Sequence, residues 1–273
     1  MAHQIVTVGD TATLYHGDCL VDLPSIASKS VNLILADLPY GTTASKWDSL
    51  IPLVPLWKEY KRVLAPGGAI VLFAAQPFTT TLIINDRSMF RYSWVWVKQK
   101  PTNFLKARVM PLRAHEDILI FAFGQTVYNP QGLVPVNIKS GRVNKSARGV
   151  YQETVGSADY IQKEGNFPRS VLFFDTDTRS RLHPNGKPVA LLEYLIKTYS
   201  NEGDLVLDNA AGSFSTGVAC LRTNREFIGM ELHPLLDKPI DVKTNPDYFN
   251  IGLRRMRDER LALARYGAGV GLT

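Results

Sequence analysis

Cysteine is scarce in this chain: Cys19 and Cys220 are the only two among 273 residues, with no C-x-x-C pair and no His/Cys cluster around them. A disulfide scaffold is thereby excluded, a structural zinc site is disfavoured, and a reducing compartment is the expected home. Long apolar runs are missing too, since none approaches the roughly 18 residues of a membrane span. The first residues carry Asp10 and Asp18 and no basic leading segment, so they do not read as a secretory signal, and the expected location is cytoplasmic. The glycine signatures of nucleotide binding are absent as well. Gly212 and Gly217 are spaced G-x-x-x-x-G, yet Val218 and Ala219 stand where a phosphate loop needs Lys and Ser or Thr, and no G-x-G-x-x-G occurs. Internal repeats and low-complexity tracts are also lacking.

What is present is an ordinary globular composition, 45% apolar and 21% charged, long enough to bury a full core as one large domain or one domain carrying an insertion. The net charge of +6 hints at a polyanionic partner, a hint that counts only where basic residues cluster. Short apolar β-branched runs alternate with longer amphipathic stretches, the pattern of an α/β fold with a mostly parallel sheet. Strands are expected at 13–16, 31–36, 69–74, 93–97, 118–123, 205–207 and 227–230. Helices are expected at 50–64, 79–88, 188–199, 215–222 and 245–265, and Pro66-Gly67-Gly68 reads as a turn. From about 125 to 182 the period is lost in a stretch rich in Gly, Asn, Ser and Gln. An unstructured loop of that length is improbable in a domain, so 125–182 reads as an inserted module between halves 1–124 and 183–273.

The carboxylates fall in a pattern. Leu-Tyr-His-Gly-Asp18, Asn-Leu-Ile-Leu-Ala-Asp37, Leu-Val-Leu-Asp208 and Phe-Ile-Gly-Met-Glu231 each run apolar and stop on an acid. Open parallel sheets bind ligands outside the carboxyl ends of their strands. Four acids there would suit a ligand rich in hydroxyls and amines, whereas any one of them could equally start a turn in solvent. After Asp208 comes Asn-Ala-Ala-Gly-Ser-Phe-Ser-Thr-Gly and an apolar helix, an arrangement that offers backbone N–H groups to a small ligand.

Asp37-Leu38-Pro39-Tyr40 carries the most chemistry. An exocyclic amine on a nucleobase is a poor nucleophile because its lone pair is delocalised into the ring. A carboxylate and a backbone carbonyl accepting its two hydrogens would draw the nitrogen toward tetrahedral geometry and free that lone pair. An adjacent aromatic ring can stack on a base turned out of the duplex. Asp37, the Leu38 carbonyl and Tyr40 supply those parts consecutively.

On these residues the sequence resembles the amino-methyltransferases of DNA, the S-adenosylmethionine-dependent N6-adenine and N4-cytosine family with its Asp-Pro-Pro-Tyr signature, in the permuted class where the catalytic half comes first. The resemblance implies a Rossmann-like domain with S-adenosylmethionine as cofactor and double-stranded DNA as partner. A homodimer and a cognate restriction endonuclease are left open. It implies catalytic roles for Asp37, Leu38, Pro39 and Tyr40. It also implies cofactor contacts from the loop 208–216, including Asp208, Asn209, Gly212 and Ser213, from Glu231 on the ribose hydroxyls, from Asp18 near the adenine, and from His183 and Lys187 near the methionine end. The sequence departs from the family pattern at Leu38, which replaces the first proline, at Asn209 and Ala210, which replace Pro-Phe, and at Phe214, which replaces a glycine. Phe214 is expected to point away from the cofactor or to pack over its adenine.

Several residues keep two readings. His183 and Lys187-Pro188 could be an ordinary loop and helix start, and Trp47 and Asp48 could cover a base or simply pack and cap a helix. His115 and Glu116 read as hairpin structure, because nothing in the sequence completes a triad around them. Trp94, Trp96, Phe121 and Phe123 read as core, and Arg254-Arg255-Met256-Arg257 as a solvated helix face. In the insertion, Lys139, Arg142, Lys145 and Arg148 recur every third residue without an acid, with Asn137 and Asn144 among them. That row suits a phosphate backbone, the alternative being a basic surface loop. The family carries its target-recognition region at that position. Lys98 and Lys100, with Lys106 and Arg108, read as a second basic wall. The resulting expectation is a DNA methyltransferase acting on N6 of adenine. Its rivals are N4 of cytosine, an RNA or protein amide substrate, and a non-catalytic DNA-binding relative. Carbon-5 cytosine chemistry is disfavoured because neither cysteine follows a proline.

Overall fold

The computed structural model describes residues 4–41, 49–140, 160–175, 186–232 and 247–269. Strands β1 (Gln4–Val8) and β2 (Ala12–His16) form a hairpin, followed by the short helix α1 (Cys19–Asp22) and by β3 (Val31–Ala36). Helix α2 (Leu53–Val63) leads into β4 (Leu64–Ala74), and α3 (Phe78–Asn85) into β5 (Phe90–Thr102) and β6 (Arg113–Ala122). Then come β7 (Val134–Ser140), β8 (Tyr160–Gly165) and β9 (Val171–Phe173). The chain continues as α4 (Val189–Tyr199), β10 (Leu205–Asp208), α5 (Ser215–Arg222), β11 (Glu226–Glu231) and α6 (Tyr248–Gly269).

Nine strands form one sheet in the order β1-β2-β11-β10-β3-β4-β6-β5-β9. Its middle, from β2 through β11, β10 and β3 to β4, is parallel, while β6 runs antiparallel to both β4 and β5. This is the α/β class the periodicity indicates. Both faces are covered, which is why β3 is apolar at nearly every position. Leu33 and Leu35 face a core completed by α4, α5 and α6, whereas Ile34 and Ala36 face one completed by α2 and α3. In α2 the buried residues Leu56, Trp57, Tyr60 and Val63 make one stripe at helical spacing.

Where the structure departs from the sequence expectations, the reasons are local. Pro66-Gly67-Gly68 does not end a helix before β4 but bulges within it: β3 pairs Val31 with Leu64 and then Leu33 with Ala69. Gly68 is required there, since a Cβ would meet the Asn32 carbonyl oxygen at 2.8 Å. Strands β1 and β9 escape notice because they are short edge strands with mixed exposure. Trp94, Trp96 and Phe121 are buried as expected, but Phe123 lies past the end of β6 and is exposed.

The chain separates into two units, Met1–Asn129 with Ser170–Thr273, and Pro130–Arg169. The second is narrower than the 125–182 stretch read from composition. Val127 N–H donates to the Gly67 carbonyl and Asn129 N–H to the Thr198 carbonyl, tying the entry segment to the larger unit, and β9 extends the main sheet beside β5. By itself the smaller unit is an antiparallel β7–β8 ribbon, with Asn166 donating to the Gly132 carbonyl.

Candidate active site

Strands β3 and β10 are parallel neighbours, but the sheet continues from β3 to β4 on one side and from β10 to β11 on the other. This reversal opens a crevice at the carboxyl ends of the strands, the place where such sheets bind ligands. In strand order, Asp18 follows the end of β2, Glu231 ends β11, Asp208 ends β10 and Asp37 follows β3. The pairing of Glu231 with His16 and of Asp208 with Gly229 keeps these ends level. The sheet thus brings all four acids to one edge.

Asp37 is the most elaborately partnered of them. Its Oδ1 accepts the Tyr40 hydroxyl at 2.9 Å, and its Oδ2 accepts the Lys187 ammonium, 150 residues away in sequence. Lys187 also lies 3.3 Å from Glu116 Oε2, while Lys98 binds Glu116 Oε1. The Lys187 ammonium sits 4.9 Å from the centre of the Phe73 ring. Burial pushes the Asp37 carboxyl above the ordinary value, and Glu116 adds to that against the opposing pull of Lys187. Glu116 is held below the ordinary value, because Lys187 and Lys98 together outweigh its burial. The Tyr40 phenol is driven well up by burial and by Asp37, so it donates as a neutral hydroxyl. One side of the Tyr40 ring stacks on Phe78, 5.2 Å between centroids.

The loop after β10 is folded by its own acid. Asp208 is buried; it accepts the Ala210 N–H at 3.1 Å and the Thr216 hydroxyl at 2.6 Å, and burial raises it to about 7. Glu231 accepts the Gly212 N–H at 2.7 Å and is raised by burial to about 8. Gly212 and Phe214 both take the left-handed conformation, φ +53° and +54°. That turn drives the Phe214 ring into the core against Phe227 and Phe249, and it is fully buried. It therefore points away from the mouth of the crevice. Asn209 is buried and accepts the Tyr60 hydroxyl, and Ser213 is buried. Asp18 is exposed and caps α1 through a 2.9 Å bond from Leu20 N–H.

Other sequence expectations change. Lys98 does not stand on an exposed basic wall: its side chain is 11% exposed and spent on Glu116. Glu116, read as hairpin structure only, sits in β6 facing the Asp37 cluster, while His115 beside it is exposed. Strand alternation turns these neighbours to opposite faces, a signal available in the sequence but uninterpretable without the strand order. Arg255 leaves the solvated row. It bonds the Ser213 carbonyl and, at 2.8 Å, the Ser215 hydroxyl, whereas Arg254 and Arg257 are exposed. Lys100, Lys106 and Arg108 remain exposed around a hairpin tip that also exposes Phe104 and Leu105. Arg142, Asn144, Lys145, Arg148, His183, Trp47 and Asp48 lie outside the described residues, and only the strand position of Lys139, in β7, is described. Among the described residues no cluster could hold a metal ion, and no helix is long and apolar enough to cross a membrane.

Residues 31–236 match the family model described as DNA methylase, N6_N4_Mtase. The chain is 30% identical over 262 residues to a DNA adenine methyltransferase of Escherichia coli, YhdJ, covering 90% of this chain and 83% of that protein. It is 28% identical over 224 residues to the type II methyltransferase M.HpaI of Haemophilus parainfluenzae, covering 77% and 67%. Among solved structures it is similar to the cytosine-N4-specific PvuII DNA methyltransferase, with TM-score 0.61, 17% identity and coverage of 90% and 93%. It is also similar to an M1.HpyAVI–SAM complex, with TM-score 0.56, 21% identity and coverage of 89% and 99%. With the family model spanning most of the chain and the crevice acids at the strand ends, this chain belongs to the N6/N4 DNA methylase family, the S-adenosylmethionine-dependent methyltransferases of DNA.

Proposed function

We propose that this chain methylates N6 of adenine in double-stranded DNA, with Asp37, the Leu38 carbonyl and Tyr40 acting on a base turned out of the duplex. The observation that carries the reading is the placement of Asp37 at the β3–β10 reversal, where its carboxylate is held by Tyr40 and Lys187 at the mouth of the crevice. The lean toward adenine rests on the tetrapeptide being headed by Asp and on similarity to a relative named an adenine methyltransferase.

The residues fit S-adenosylmethionine. Glu231 is a half-buried carboxylate with no cationic partner among the described residues, the kind of group that gains from accepting hydroxyl hydrogens. Asp208 and Arg255 pin the backbone of 208–216, so the loop is preorganised before any ligand arrives. Asp18 offers an exposed carboxylate at the same edge of the sheet, on the side assigned to the adenine, and Gly212, Ser213 and Asn209 belong to the turn that follows β10. Lys187 would meet the methionine end from its place beside Asp37, with His183 on the same segment. When bound, the cofactor would supply an electrophilic methyl group, the electron pair of its broken S–C bond staying on sulfur.

The chain does the rest. Asp37 and the Leu38 carbonyl accept the two amine hydrogens and free the nitrogen lone pair to form the new N–C bond. Pro39 restrains the turn that presents them. The face of the Tyr40 ring opposite Phe78 would stack on the base. Asp37, already accepting one amine hydrogen in this reading, would take the proton shed by the nitrogen, and the raised affinity of that carboxyl favours taking it.

DNA contact is assigned to Lys100, Lys106 and Arg108 on the β5–β6 tip. The row Lys139, Arg142, Lys145 and Arg148 in the inserted target-recognition region is assigned to phosphates. Within this reading the enzyme works in the cytoplasm, alone, as a homodimer, or beside a cognate endonuclease; similarity to type II methyltransferases supports the last. The test is to digest DNA from cells expressing the wild type or Asp37→Ala and identify modified nucleosides by mass spectrometry. N6-methyladenine in the wild type and none in the variant is the expected result. N4-methylcytosine instead would overturn the base assignment, and equal modification in both would overturn the role of Asp37.

A further inference from the structure

We propose that Glu116 is a positioning residue for methyl transfer: a second carboxylate to which Lys187 moves when Asp37 takes up the base amine, held in its receiving orientation by Lys98. The inference rests on Asp37 being the group that accepts the amine hydrogens. In the structure both of its oxygens are occupied, Oδ1 by Tyr40 and Oδ2 by Lys187. An arriving amine must share one of these oxygens or displace its partner, and a tightly held ammonium weakens the oxygen it shares as an acceptor. Lys187 cannot retreat to water, because its side chain is only 9% exposed, and a buried ammonium stripped of its partner is strongly destabilising.

Among the described residues, Glu116 offers it another place. Glu116 Oε2 lies 3.3 Å from the Lys187 ammonium, close enough to attract it and too far for a well-formed charge-assisted bond. That oxygen is buried and has only the long contact with Lys187, whereas Oε1 is paired with Lys98. A movement of a few tenths of an ångström, about the difference from a normal bond length, completes the Lys187–Glu116 bond, and rotation of the flexible lysine side chain about that anchor then withdraws the ammonium from Asp37. The Phe73 ring beside the ammonium offers a cation-compatible face throughout. The ammonium stays paired throughout, and the Asp37 carboxylate, released from it, keeps the Tyr40 hydroxyl and gains the amine hydrogen as its partners.

The groups facing Asp37 are Tyr40 from its own loop, Lys187 ahead of α4, Glu116 from β6 with Lys98 behind it on β5, and Asp208 at the end of β10; Arg113 acts on Tyr40. Removing the Glu116 charge leaves Lys187 on Asp37 alone and draws the Asp37 carboxyl down. Removing the Lys98 charge does the reverse, since Glu116 is then less neutralised.

The experiment measures single-turnover methylation of duplex DNA against pH for the full chain and its variants, with cofactor affinity by calorimetry. Glu116→Gln should slow the step by about tenfold, equivalent to ~1.4 kcal/mol, and move the acid limb of the profile to lower pH. Lys98→Met should move that limb to higher pH. In a Lys187→Gln background, Glu116→Gln should add little, because the ion to be received is gone. A rate loss with an unmoved acid limb would mean a structural role only and overturn the proposal, as would an unchanged rate. If Glu116→Gln fails to fold, the direction of the Lys98→Met limb decides alone. Activity surviving Asp37→Ala would sink the underlying reading, whereas a dead Asp37→Ala beside an unaffected Glu116→Gln would sink only this inference.

Discussion

Replacing Phe214 separates two opposed forces at one position. Its ring is fully buried and meets Phe227 and Phe249 edge-on, with centroids 6.3 and 5.6 Å away. Truncating such a side chain costs about 3–5 kcal/mol through lost burial and the cavity left behind. Its backbone, however, is left-handed at φ +54°, a conformation that costs a non-glycine residue roughly 1–2 kcal/mol. Phe214→Ala removes the ring and keeps the strain, so it bears the whole loss. Phe214→Gly removes the ring and relieves the strain, leaving a net loss of about 1–4 kcal/mol by difference. For a unit of this size that corresponds to melting temperatures lower by roughly 2–16 °C for glycine and more for alanine. Thermal unfolding followed by circular dichroism, with cofactor affinity by calorimetry, provides the readout. The expected order is wild type, then glycine, then alanine. A glycine variant that melts like the wild type and binds S-adenosylmethionine more tightly would place the ring over the ligand and refute the argument.

Tyr40→Phe should lose the hydroxyl that holds Asp37, about 0.5–1.5 kcal/mol, while Tyr40→Ala also forfeits stacking of roughly 1–3 kcal/mol; equal turnover in the two variants would leave the ring without a role. Neutralising Lys100, Lys106 and Arg108 together should reduce the slope of log affinity against log salt by about 0.9 for each phosphate no longer neutralised, measured by fluorescence anisotropy with duplex DNA, and an unchanged slope would return the hairpin tip to solvent. The carboxyls of Asp208 and Glu231 are raised in the folded state to about 7 and 8 from 3.8 and 4.5, so the folded protein binds more protons than the unfolded one across that window. Their contribution is fullest below pH ~4 and is lost as pH rises through the folded values; the urea midpoint should fall from pH 5 to 8, and Glu231→Gln should flatten that fall.

Neighbouring residues alone specify the parallel α/β class and the central strands, because the alternation between buried runs and amphipathic helices is a local pattern. The Asp37–Tyr40 segment and the four strand-ending acids are legible for the same reason. What those acids touch is settled only when distant elements dock. The partner of Asp37 is Lys187, 150 residues on, and the partner of Lys187 is Glu116 on a strand that runs antiparallel beside β4. No local period encodes that convergence, because it depends on strand order and on which face each strand turns inward. The same holds for Lys98, whose composition suggests a DNA-facing cation and whose place on β5 buries it against Glu116. Phe214 shows the limit most plainly: one residue in a ligand-loop pattern became core because a left-handed turn, stabilised by two aromatic neighbours from β11 and α6, aimed it inward. Local propensity specifies elements, but the ionic and packing partners of a side chain are set by the non-local docking of those elements.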